Sequence, residues 1–96
     1  MVTEAAVTRR VLVVDDDPAI VRLLKGILGR EGFEVSGVED GETGLARASV
    51  EKPDLVILDF ELPKLDGIQV LTRLKTETPE LPVVMLTGHE DVKFAV

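Results

Sequence analysis

The chain reads as an α/β protein, a doubly wound parallel sheet with helices on its faces. Three observations predict this class. The apolar runs at 11–14, 55–58 and 83–86 do not alternate with polar residues, as expected of strands covered on both faces. Between the runs, apolar residues recur at helical spacing. Each run also ends in polar residues: Asp15, Asp16 and Asp17 after the first, Asp59 after the second, Thr87 after the third. In open sheets of this class ligands bind outside the carboxyl ends of the strands.

The elements follow in order. Residues 1–9 read as a tail and 10–96 as one domain, opening with a strand at 10–14. Asp17 can cap a helix, and Pro18 suits its first position. Ile20, Leu23, Leu24, Ile27 and Leu28 supply that helix's apolar stripe. Gly29 and Gly32 mark its end, with Gly32 the better cap. A second strand is predicted at 33–38, then a turn at Glu39, Asp40 and Gly41. A helix at 42–50 turns Leu45 and Ala48 inward, and Gly44 weakens it by about 1 kcal/mol relative to alanine. Pro53 breaks the chain before the strand at 55–58. After a loop at 63–67, Ile68, Leu71 and Leu74 form the next buried stripe, with Val70 beside it. Pro79 and Pro82 precede the strand at 83–86. A new helical pattern begins near Asp91, with Val92, Ala95 and Val96. This alternation argues for a parallel sheet with right-handed crossovers.

Composition limits the function. The chain has 96 residues, 45% of them hydrophobic, enough for one small packed domain. With 11 basic and 18 acidic residues, its net charge is −7. That disfavours non-specific attraction to nucleic acid or an anionic membrane. No cysteine is present, so disulfide and thiolate-metal chemistry are excluded. No run approaches the ~20 apolar residues that span a bilayer, and the first ten residues lack a signal-peptide core. The cytoplasm is the expected location.

The acidic residues at the strand ends carry the chemistry. If the strands are neighbours, Asp15, Asp16 and Asp59 meet in one crevice, where carboxylates are costly unless a cation neutralises them. Oxygen ligands without histidine or cysteine suit a hard cation, and Mg²⁺ fits best. Asp17 is explained by capping alone; Asp15 and Asp16 are not. Asp59 is either a further ligand or a nucleophile that forms an acyl-phosphate. Thr87 can donate a hydroxyl hydrogen bond to a phosphoryl oxygen. His89 reads as a loop residue without chemistry, Lys64 and Lys93 as solvated charges, and Phe33 as core. Phe60 is placed to line the site.

Taken together, Val13-Val14-Asp15-Asp16-Asp17-Pro18, the stretch from Leu58-Asp59 through Pro63 to Asp66-Gly67, and Met85-Leu86-Thr87-Gly88 resemble the receiver domain of two-component response regulators. The resemblance covers residues 10–96. Residues 87–92 look most like receivers of transcriptional regulators. The resemblance implies a flavodoxin-like receiver fold and assigns roles by position. Asp59 matches the phospho-acceptor, which takes a phosphoryl group from the phosphohistidine of a sensor histidine kinase. Asp16 matches the direct Mg²⁺ ligand, and Asp15 the acid that acts through a metal-bound water. The backbone carbonyl of Glu61 matches a main-chain ligand, and Thr87 the switch hydroxyl. Pro63 and Gly67 match the loop that shapes the acceptor turn. An output domain in the parent protein is implied, and direct nucleic-acid or membrane binding by this domain is not. The resemblance does not imply a conventional enzyme, only an acceptor that assists its own phosphorylation and dephosphorylation.

In the family a fifth strand ends in a lysine followed by proline, and a fifth helix comes after it; this sequence ends before either. The expected sheet therefore has strand order 2-1-3-4 with the fifth strand and fifth helix missing. Its last strand would be a free apolar edge that favours dimerisation. Two other functions compete. One is a binding module of the same fold, silent because the lysine is absent. The other is a Mg²⁺-dependent phosphatase using an aspartyl-phosphate, for which Glu61 stands at the required spacing from Asp59.

Overall fold

Four parallel strands alternate with three helices, and a short antiparallel strand follows. The computed structural model describes residues 8–86 and 92–95. The elements are β1 (Arg10–Val14), α1 (Pro18–Arg30), β2 (Glu34–Val38), α2 (Gly41–Glu51), β3 (Leu55–Asp59), α3 (Gly67–Glu77), β4 (Val83–Leu86) and β5 (Val92–Ala95). The sheet order is β2-β1-β3-β4-β5. β1 is central, pairing Val11 with Val35 on one side and with Leu55 on the other. In parallel pairing the strands share one direction, so β1, β3 and β4 deliver their carboxyl ends to the same edge.

The helix starts agree with the capping chemistry. Asp17 accepts a hydrogen bond from the Ala19 amide, with Pro18 in the first turn. Asp40 caps α2 by accepting from the Thr43 amide. At α3, Asp66 and Gln69 form a reciprocal capping box, satisfying two amides that would otherwise lack partners. Gly32 lies one residue beyond the α1 cap, Glu31, at φ +92. Gly44, unfavourable by propensity, is explained by packing: a Cβ there would come within 2.9 Å of a Val14 methyl.

Two apolar clusters sandwich the sheet. On the α2/α3 face, Leu12, Val14, Val56, Leu58, Val83 and Met85 pack with Val70 and Leu74. On the opposite face Val11, Val13 and Ile57 lie under Val21, Leu24 and Leu28 of α1. Phe33 packs against this second cluster, as expected.

Three expectations need correction. The α1 stripe is rotated, because Leu23 and Ile27 are 56% and 51% exposed while Val21 packs inward. The helix has a wider apolar arc than one sheet face can cover. In α3, Val70 is fully buried and Ile68 is exposed; the contact face runs through Val70 and Leu74, one turn apart. The helix expected near Asp91 is not formed at 92–95. Instead β5 pairs antiparallel with β4, setting Leu86 opposite Val92 and Val84 opposite Phe94. Unpaired strand-edge amides and carbonyls favour such pairing, and Val92 and Phe94 are good strand formers. β4 is therefore an interior strand, and the free edge on which dimerisation was expected is covered.

Candidate metal and phosphoryl site

Asp15 follows β1 directly, and its amide donates to the Val38 carbonyl of neighbouring β2 at 3.0 Å. This bond extends the ladder one residue past the strand and draws the side chain into the crevice. Only 5% of Asp15 is exposed. One carboxylate oxygen of Asp15 accepts from the Asp17 amide at 2.9 Å. The chain thus turns tightly after β1, with Asp16 at the exposed corner and Asp17 free to cap α1.

Asp59 ends β3, and its carboxylate accepts from the Glu61 amide at 3.1 Å. The turn after it is fixed from two sides. The Phe60 amide donates to the Leu86 carbonyl of β4 at 2.7 Å, and the Phe60 carbonyl accepts from the Gly67 amide at 3.0 Å. Gly67 is required by this closeness. A Cβ at position 67 would lie 2.6 Å from the Asp59 carbonyl oxygen and 2.8 Å from the Phe60 Cα. Sequence spacing shows a glycine here, but only the fold reveals its contact with the acceptor turn.

Carboxylate oxygens of Asp15, Asp16 and Asp59 lie within 4.8 Å of one another. An octahedral Mg²⁺ with ligands at 2.0–2.1 Å spans about 4.2 Å between opposite oxygens. Carboxylates gathered this closely could hold a hard cation of that size. Burial pushes the Asp15 carboxyl above the ordinary aspartate range, with the charges of Asp16 and Asp17 adding to it against the Asp17 amide bond. Burial likewise raises Asp59, with Asp15, Asp16 and Glu61 contributing repulsion. Both shifts express an electrostatic cost that a bound cation removes.

Of the other sequence candidates, Glu61 is exposed, and its amide faces Asp59. Phe60 is partly exposed beside the cluster. Lys64 adopts a left-handed backbone, φ +67. Its charge acts on Asp40 at the start of α2 and helps hold that carboxyl below its usual range, after the dominant hydrogen bonds from Thr43. It is an exposed loop residue, as expected. The register places Asp59 opposite Leu86, immediately before Thr87. Thr87 and His89 lie outside the described residues, as does the side chain of Lys93. Among the described residues no helix is long and apolar enough to cross a membrane.

Comparison with known proteins decides the family. The response regulator receiver domain matches residues 11–96. The chain belongs to the response regulator receiver family. This receiver is 46% identical over 83 residues to the alkaline phosphatase synthesis transcriptional regulatory protein PhoP of Bacillus subtilis, an alignment covering 86% of the chain and 35% of PhoP. It is 41% identical over 88 residues to the nitrogen assimilation regulatory protein NtrX of Azorhizobium caulinodans, covering 90% of the chain and 19% of NtrX. The chain thus spans about a third or less of the length of these relatives.

Solved receivers superpose closely. A CheY-like response regulator receiver domain protein of Methanospirillum hungatei matches with TM-score 0.83 and 34% identity, over 88% of this chain and 68% of that one. The response regulator TrrA of Thermotoga maritima, solved in complex with Mg²⁺-BeF, matches with TM-score 0.82 and 37% identity, over 86% and 72% of the two chains. The parallel order β2-β1-β3-β4 is that of the receiver fold. Family membership favours the phospho-acceptor class over the silent module and the phosphatase.

Proposed function

We propose that this receiver, residues 10–96 behind a tail at 1–9, accepts a phosphoryl group on Asp59 from the phosphohistidine of a sensor histidine kinase. The P–N bond of the donor breaks as a P–O bond forms to an Asp59 carboxylate oxygen. The observation that carries the reading is the convergence of Asp15, Asp16 and Asp59 at the carboxyl edge of β1 and β3. The Mg²⁺-BeF complex of the TrrA relative supports it, since that protein shares the fold at 37% identity.

Each residue has a physical task. Asp16 would hold Mg²⁺ directly, Asp15 would hold it through water, and the Glu61 carbonyl would complete the protein ligands together with Asp59. Bound there, Mg²⁺ would offset charge on the phosphoryl oxygens during transfer. The Glu61 amide, donating to one Asp59 oxygen, orients the carboxylate and leaves the other to attack. Gly67 lets α3 close against the acceptor turn and fixes its position. Thr87 would turn its hydroxyl onto the transferred group and so report its presence. The chain acts as a phospho-acceptor that assists its own phosphorylation and dephosphorylation, not as a conventional enzyme. The transcription-regulator relatives support an output domain in the parent protein and action in the cytoplasm.

Incubation with Mg²⁺ and acetyl phosphate, read by intact mass, tests the reading. One phosphate-sized gain is expected, Mg²⁺-dependent, labile to alkali and hydroxylamine as an acyl-phosphate is, and absent in Asp59→Asn. A folded parent that binds Mg²⁺ but gains no mass would overturn it in favour of a silent module.

A further inference from the structure

At the end of the sheet away from Asp59, the carboxyl-terminal ends of α2 and α3 flank a groove of about 480 Å³. Its floor is apolar, formed by Ala48, Pro53, Leu74 and Leu81, all buried. Its rim includes the exposed Glu77 and Glu80. The carbonyl-rich ends of helices are negative, and acidic residues there are locally unfavourable. Yet α2 ends in Glu51 and α3 in Glu77, with Glu80 close behind. Glu51 is compensated by Arg47 at 3.3 Å. Glu77 and Glu80 have no ion pair among the described residues. Lys75, the basic residue of the last turn of α3, donates its Nζ to the Leu81 carbonyl at 2.7 Å. Among the described residues that line the groove, Lys52 is the one cation against two carboxylates.

We infer that this groove binds the guanidinium-bearing side chain of an arginine presented by a partner protein. A guanidinium carries several donors in a plane for the rim carboxylates, and its weak hydration lowers the cost of entry. Its methylene stem fits the apolar floor. The volume is that of a side-chain or small-ligand site. Pro53 and Leu81 lie just before β3 and β4, whereas the acidic cluster lies beyond the opposite ends of the strands. Occupancy here therefore does not compete with Mg²⁺ or with Asp59.

The test is an amide NMR titration of the intact chain with butylguanidinium, in saturating Mg²⁺ so that the acidic cluster is already filled. Butyrate serves as the opposite-charge control. Saturable shifts are expected at Ser49, Lys52, Thr78 and Leu81 and not at Asp59. The exposed double substitution Glu77→Gln with Glu80→Gln should weaken binding by about fivefold or more, and Ser49→Trp should block the groove. Equal shifts with butyrate, non-saturating shifts, or unchanged affinity in both variants would overturn the inference.

Discussion

The two faces of the sheet are built from alternate residues of the same strands, yet they are finished differently. On the α2/α3 face, Leu58 and Val83 are essentially inaccessible, because two helices and the Leu62 and Leu81 loops close over them. On the α1 face, Leu55, Val84 and Leu86 remain half-buried, and α1 itself contains no fully buried residue. Strand composition is similar on both sides, so coverage rather than hydrophobicity sets the burial. The difference lies away from the central strand: Val11 and Val13 are as inaccessible on the α1 face as Leu58 is on the other, but the strand residues beside them keep apolar surface next to a helix whose charges, Arg22, Lys25 and Arg30, are all basic.

Matched truncations on the two faces give the largest expected contrast. Leu58→Ala should destabilise by about 2–5 kcal/mol. Leu86→Ala, in the neighbouring strand but on the α1 face, should cost only about 1–2 kcal/mol. Urea unfolding measures both, and equal losses would erase the contrast. Gly67→Ala should cost about 1–3 kcal/mol by overpacking. It should also slow acetyl-phosphate labelling of Asp59, because the displaced backbone is that of the acceptor turn. Labelling at the parent rate would separate Gly67 from the site.

A subtler effect concerns pH. Asp15 and Asp59 have folded-state values above the ordinary one, so the folded state binds their protons more tightly than the unfolded chain does. Without divalent cation, their contribution therefore favours folding at low pH. It is lost as pH rises from the ordinary aspartate value of 3.8 through the raised ones. Asp15→Asn should melt higher than the parent at neutral pH without Mg²⁺, and this advantage should shrink toward acid. Added Mg²⁺ should raise the parent more than the variant. A pH-independent difference between the two melting curves would contradict this account. The smallest effect belongs to the outer side of α1, where Leu23→Ser should change stability by no more than about 0.5 kcal/mol; a larger loss in urea unfolding would mean that Leu23 packs.

Much of the site could be read from the chain because its signals are local. An apolar run followed by aspartate fixes both strand and strand end, and Asp17-Pro18 fixes the helix that starts beside it. The burial of Asp15 was not local: it depends on the amide bond to Val38, which exists only once β2 lies alongside. The rotation of α1 depended on how much sheet one helix can cover. The segment at 92–95 was read by its apolar spacing, but the hydrogen-bonding demand of the β4 edge decided its conformation. Lys64 shows the same limit, since nothing in a Pro-Lys-Leu sequence signals a lysine in the left-handed region.

The central position of β1 has a consequence for how the chain comes together. Arg10 finds its partner at Glu34, but Val11 must also wait for Leu55. During synthesis from the amino terminus, the first strand to emerge is thus paired on both sides only after the third has been made. Until β3 is available, the buried side of Asp15 and the apolar residues before it stand open to solvent. The acidic crevice cannot exist in any shorter intermediate, so the capacity to bind a cation arises in the same step that completes the middle of the sheet.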